Sequence, residues 1–266
     1  MMPLTLLGRC AVVAGARHRS VARNCQDAAA TWVAADQRWG LAVVCDGCGS
    51  QPASEFGALW GRLAWQQAVQ RAIGAGIVPT ACEFWPTVCA DVAAGLAALA
   101  QQCSSSEVPT ISFVHEHLLF TSLVAVMYDQ TLSVFALGDG TALVAGQVHQ
   151  FGPWPDNAPP YLAYALLDPT FAPAAVATTI TCNVEATGIV AIASDGIDDF
   201  PGGIEALVTE RNVRNPDGLR RTLELAARPS EQIDWPEQRV MRIAGRLHDD
   251  TAVAVLQWAT SNVEAI

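Results

Sequence analysis

Three apolar runs end in the same dipeptide, VVC-Asp46-Gly47, ALG-Asp139-Gly140 and IAS-Asp195-Gly196, and an Asp249-Asp250 pair stands just before a last apolar run. One Asp-Gly after a strand is most often a tight turn. Three of them read differently. Strands lying side by side would gather these carboxylates at one end of the sheets, where uncompensated negative charges repel. A pair of hard divalent cations resolves that conflict. Carboxylate and carbonyl oxygens suit Mg²⁺ or Mn²⁺, whereas Zn²⁺ prefers Cys and His. Glycine after each aspartate lets a carbonyl or a substrate oxygen come close. Two such metals about 4 Å apart can activate a bridging water and stabilise the charge on a phosphate being displaced. The chemistry these residues point to is phosphoester hydrolysis.

Composition removes competing mechanisms. The chain has 266 residues and a net charge of −11, and all 15 of its basic residues are arginine. Without lysine there is no P-loop, no pyridoxal or Schiff-base chemistry and no protein-kinase strand lysine. An acidic chain without a basic stripe is a poor nucleic-acid binder. The longest apolar run, 118–128, is far shorter than the ~20 residues that span a bilayer. The start MMPLTLLGRC lacks the positive region of a cleaved signal peptide. The eight cysteines sit mostly in apolar stretches, as small hydrophobes do in reduced proteins. The expectation is a cytoplasmic protein with no membrane partner. With 51% hydrophobic residues, the chain can bury a large core.

The elements that must position the aspartates follow from patterning. Strand-like runs occupy 39–45, 118–128, 131–138, 188–194 and 251–258, most of them apolar on both faces, as in strands sandwiched inside a protein. Asp129-Gln130 separates two of them and predicts a hairpin. Helical spacing marks Pro52 to Ile73 and Pro86 to Gln102. Three further helices are expected at Gly203 to Asn212, after Asn215-Pro216, and at Trp235 to Leu247. This segregated order favours an α+β layered domain. FGPWPDNAPP, 151–160, reads as a surface loop and not a boundary, so a single domain spans 1–266.

Six segments, GARHRSVARNCQDA (15–28), VVCDGCGS (43–50), FTSLVAVMY (120–128), FALGDGTA (135–142), IASDGIDDF (192–200) and HDDTAVAVL (248–256), occur in an order that covers nearly the whole chain. The chain thereby resembles the metal-dependent serine/threonine protein phosphatases of type 2C, the PPM family, in their shorter bacterial form. The resemblance implies a four-layer α-β-β-α sandwich of two antiparallel sheets flanked by helices. It also implies Mg²⁺ or Mn²⁺ as two ions with room for a third, and a phosphorylated protein substrate made by a cognate kinase. Asp46 resembles the carboxylate that bridges both metals, and Gly47 supplies a carbonyl to one. Asp195 and Asp249 complete the other, Asp139 helps hold a third ion, and Asp27 orients water at the metals. The sequence departs from the family pattern in three places. Gln26 stands where many members have Glu, which implies a weaker second metal. Cys48 replaces a histidine that protonates the leaving alcohol in animal members. Ala22 occupies the place of the phosphate-binding arginine, and Arg17 and His18 are both nominated in its stead.

Gln26 and Cys48 leave a second reading, a catalytically weak or inactive phosphatase-like module that binds a partner or a phosphorylated segment. Retention of all four metal-ring aspartates argues against it. Cys45 and Cys48 form a CxxC with no second pair at zinc spacing, and His115 and His117 read as one face of a strand edge before the hairpin.

Overall fold

The computed structural model describes residues 4–103, 111–184 and 188–260. Along the chain run β1 (Leu4–Val13), α1 (Ala16–Ser20), β2 (Ala28–Val33), β3 (Trp39–Gly47), α2 (Glu55–Gly74), α3 (Phe84–Cys103) and α4 (Ile111–His117). They are followed by β4 (Phe120–Tyr128), β5 (Thr131–Leu137), β6 (Gly140–Val144), β7 (Gln147–Phe151), α5 (Pro173–Val176), β8 (Thr178–Asn183) and β9 (Ile189–Ala193). The last part holds α6 (Gly203–Leu207), α7 (Glu210–Arg214), α8 (Gly218–Ala227), β10 (Ser230–Asp234), β11 (Arg239–Ile243) and β12 (Thr251–Thr260). The strands form two five-stranded antiparallel sheets, ordered β1-β12-β9-β6-β7 and β2-β3-β4-β5-β8, and a separate ribbon of β10 and β11.

The sequence of β3, WGLAVVCDG, shows why the sheets stack. Side chains alternate across a strand. Leu41, Val43 and Cys45 join the cluster under α2 and α3, while Ala42 and Val44 pack between the sheets against Val190, Ile192 and Ala254. Ala191, Ala193 and Val253 of the second sheet meet Leu207, Leu219 and Leu223 on its outer side. The result is the four-layer α-β-β-α sandwich that the resemblance implies. Two indoles fix how the first helical pair sits: Trp65 Nε1 donates to Ser122 Oγ and Trp85 Nε1 to Ser133 Oγ, each at 2.9 Å in the core. Buried N–H groups need such partners.

Several expectations are corrected. Residues 235–247 are not a helix: Trp235 precedes Pro236, which disfavours helical backbone. Asp234 Oδ1 accepts from Glu237 N (3.3 Å), and Gln238 takes φ +49°, so the chain turns and pairs β10 with β11. The helix expected over 203–212 is broken, because Thr209 adopts an extended backbone and its Oγ1 accepts from Asn212 N, capping α7. His115 and His117 lie on α4, where two residues apart means different faces. The Asp129-Gln130 hairpin is present, with Tyr128 opposite Thr131 and Asp129 at φ +50°. No helix among the described residues is long and apolar enough to cross a membrane.

Candidate active site

Register brings the aspartates to one end of the sandwich. Ala28 opposes Cys45 across β2 and β3, which sets Asp27 beside Asp46. Val253 opposes Ala193 across β12 and β9, so Ser194 and Asp195 sit beside Ala252 and Thr251, just beyond Asp249 and Asp250. Asp139 lies where the chain crosses from β5 in one sheet to β6 in the other, between Gly138 (φ +107°) and Gly140 (φ +128°). Only glycine takes such backbone cheaply. Asp27, Asp46, Asp139, Asp195, Asp249 and Asp250 all line one cleft of about 270 Å³, together with Gly47, Arg17 and His18. Every residue nominated from the sequence is therefore brought to this cleft.

The Asp46 carboxyl is within hydrogen-bonding reach of both Asp27 and Asp195. Burial raises its pKa well above the ordinary carboxylate value, and the charges of Asp27, Asp195 and Asp139 add to the rise. Asp27 is pushed up to about 8, first by burial and then by Asp250 and Asp195, against the lowering bond from Ser194. Ser194 Oγ donates to Asp27 Oδ2 at 2.6 Å and accepts from Ala252 N at 2.8 Å, which fixes the carboxylate. Asp195, at the open rim, is still raised to about 6 by the protein packed around it and by Asp139 and Asp249. Asp139 is raised by burial. Carboxylates this close hold their protons to higher pH, and a cation among them would favour their joint ionisation.

The opposite wall comes from the segment after β1. Asp250, 3% exposed, accepts from Gly15 N (2.8 Å) through Oδ1 and from Gln26 N (2.6 Å) through Oδ2, and His18 Nδ1 lies 2.7 Å from the same Oδ2. A Cβ at Gly15 would collide with the Asp249 carbonyl, so the segment approaches β12 this closely only with glycine there. Arg19 is bound to Ala14 O and Glu224, and Arg23 to Gly49 O and Gln51 O. Arg17, whose side chain is 75% exposed, has only a 3.5 Å contact with Asp249. It is the arginine of this segment most open to an incoming anion, whereas His18 is committed to Asp250.

Asp250, Ser194 and Asp199 were not singled out as site residues from the sequence; Asp199 Oδ2 accepts from His248 N at 2.8 Å and holds the loop before β12. The Asp249-Asp250 doublet was the only signal, and it does not say which carboxylate turns inward. The two cysteines of the CxxC part company: Cys45 is packed in the core under α2 and α3, while Cys48 lines the cleft with its Sγ 3.2 Å from Ser50 Oγ. All eight cysteines are free. Asn157 and Pro159 of the 151–160 loop also line the cleft.

The donors offered to a cation are hard oxygens, and a compensating positive charge is what they lack, so their chemistry fits Mg²⁺ or Mn²⁺. Among the described residues no group of three or more His, Cys, Asp or Glu side chains is arranged to hold an ion. The fit is thus one of donor chemistry, carboxylate and carbonyl oxygens with water left to complete the shell of an ion.

The model of the family described as Protein phosphatase 2C matches residues 14–234. Among solved structures, the photosystem II phosphatase PBCP is similar with a TM-score of 0.56 at 14% identity, over 97% of this chain and 100% of that one. The catalytic domain of the serine threonine protein phosphatase PstP, in complex with two manganese ions, gives 0.54 at 16% identity, over 97% and 100%. RsbX in complex with magnesium gives 0.52 at 12% identity, over 97% and 100%. No curated protein matches the chain significantly. The fold is shared with these structures, and with the family model spanning most of its length the chain belongs to the protein phosphatase 2C family.

Proposed function

We propose that this protein hydrolyses phosphoserine and phosphothreonine in proteins, in dependence on two Mg²⁺ or Mn²⁺ ions held at the aspartate cleft. One observation carries the reading: Asp46 reaches both Asp27 and Asp195 from a neighbouring strand and the opposite sheet, with Asp139 and Asp249 on the same cleft. Family membership supports it, as do the manganese ions of PstP and the magnesium of RsbX.

Asp46 would be shared between the two ions, with the Gly47 carbonyl on one and Asp195 and Asp249 on the other; Asp139 and Asp195 would serve a third. When bound, the ions supply an activated water and offset the charge that builds on the phosphate. The chain supplies the rest. Asp27, locked by Ser194, is placed to orient the attacking water. Arg17 meets the phosphate from the open side, and its planar fork suits two phosphate oxygens. His18, tied to Asp250, keeps the Arg17 segment against the cleft. No serine or cysteine nucleophile is needed, so the reaction passes through no phosphoenzyme. Free cysteines throughout support a reducing, cytoplasmic setting in which a cognate kinase makes the substrate.

Hydrolysis of a phosphothreonine peptide in Mn²⁺, followed by phosphate release, tests this. Asp46→Asn or Asp195→Ala is expected to lower kcat at least 100-fold with an unchanged far-UV spectrum, and chelation to stop the wild type. Turnover that survives either substitution, or that ignores chelator, contradicts the proposal.

A further inference from the structure

Beside the cleft the sandwich has an open flank. β7 and β8 are each the last strand of their sheet, and no described strand pairs beyond either. Between them runs a groove of about 570 Å³ that both strands line, with Trp154 at one wall. A hollow of about 300 Å³ joins this groove to the cleft. It shares Asp139, Asn157 and Asp195 with the cleft, and Gln150, Phe151 and Pro153 with the groove.

Register decides which side chains face the groove. His149 opposes Ala142 and Phe151 opposes Gly140 across β6, and Ala142 and Phe151 belong to the cluster between the sheets. Side chains alternate across a strand, so His149 and Phe151 both turn inward. Ile180 turns inward from β8, opposite Val134 of the same cluster. These three are only half-buried, and their neighbours along each strand are exposed. A free sheet edge invites a further strand, and proteins commonly guard it with charge or proline. Neither QVHQF of β7 nor TTITCN of β8 holds Asp, Glu, Arg, Lys or Pro. At the wall, the Trp154 indole Nε1 is enclosed without a hydrogen-bond partner. Such N–H groups are paired as a rule, which leaves a donor there for a carbonyl.

We infer that the groove binds the segment of the phosphoprotein that follows the phosphorylated residue, as an extended strand added antiparallel to β7, an inference that rests on the phosphatase reading above. Continuity names the occupant: a chain whose phosphate lies at the aspartates is led through the hollow into the groove. β7 takes the strand because its residues line both hollow and groove, whereas those of β8 line the groove alone. β7 runs toward the cleft, ending with Phe151 opposite Gly140, next to Asp139. A strand antiparallel to it therefore runs away from the cleft, which puts residues C-terminal to the phosphate in the groove. β7 has five residues, so the docked segment is of about that length. Backbone pairing supplies affinity, while Phe151 and Ile180 favour apolar side chains at alternate positions.

Steady-state hydrolysis of phosphothreonine peptides in Mn²⁺ tests this. Valine at alternate positions after the phosphothreonine is expected to raise kcat/KM about 10-fold over glycine there, and the same valines before it to change kcat/KM by less than about 2-fold. N-methylation of one backbone amide of the valine segment at a time is expected to remove the gain only at alternate positions, those whose N–H faces β7. Ile180→Glu is expected to bring the valine and glycine peptides within about 2-fold of each other. Thr178→Glu, at an exposed position on the same wall, decides if Ile180→Glu does not fold. Equal kcat/KM for valine and glycine flanks, a gain from the preceding valines, methylation that acts at every position or at none, or a preference untouched by the folded variant overturns this inference and leaves the phosphatase reading standing. A wild type that hydrolyses no phosphopeptide overturns both.

Discussion

Asp250 binds three groups of the segment that carries the chemistry, Gly15 N, Gln26 N and His18 Nδ1, and is itself almost fully enclosed. Hydrogen bonds to an ionised group contribute more than neutral ones, and stranding buried N–H donors adds a desolvation cost. Asp250→Ala is expected to lower unfolding free energy in urea by about 3 kcal/mol and to slow turnover by loosening Arg17 and Asp27; an unchanged urea midpoint would contradict that bonding role. The repeated strand-Asp-Gly pattern made Asp46, Asp139 and Asp195 legible, and the doublet before the last strand did the same for Asp249. Nothing local marks Asp250 or Ser194, because each acquires its partners from segments distant in sequence.

The same division holds for the elements. Strands β3, β4, β5, β9 and β12 were readable because both of their faces are covered, which leaves long apolar runs. Strands β1, β2 and β8 were not, since their burial is mixed and β8 is largely exposed. The β10–β11 ribbon buries neither face, so its alternation carries no burial signal, and Ile233 and Val240 are 54% and 62% exposed. Helix placement is set by side-chain anchors that periodicity does not reveal. Ser133→Ala leaves the buried Trp85 indole N–H unpaired between α3 and β5, and is expected to cost about 1–3 kcal/mol, readable as a lower urea midpoint with an unchanged slope. A loss under 0.5 kcal/mol would mean that the 2.9 Å bond does not anchor the helix.

For the molecule as a whole, the cleft stores repulsion that folding must overcome. In the metal-free protein Asp195 keeps its proton to about pH 6 and Asp27 to about pH 8, while in the unfolded chain both ionise near 3.8. Between those limits the folded state binds more protons, so its stability falls as pH rises through that range. The urea midpoint in chelator is therefore expected to drop from pH 5 to pH 8, and saturating Mn²⁺ to flatten or reverse the trend by favouring the ionised carboxylates. A chelated midpoint that rises over that range would contradict burial and mutual repulsion as the forces that hold protons on these carboxylates.

The central claim, that chain segments far apart in sequence build one seat for two divalent ions, is tested most directly by anomalous diffraction at the manganese edge from crystals soaked in Mn²⁺. Two strong peaks in the cleft are expected, both in contact with Asp46 and one also with Asp195 and Asp249. An empty cleft at saturating Mn²⁺, or peaks only on the outer surface, would contradict the account.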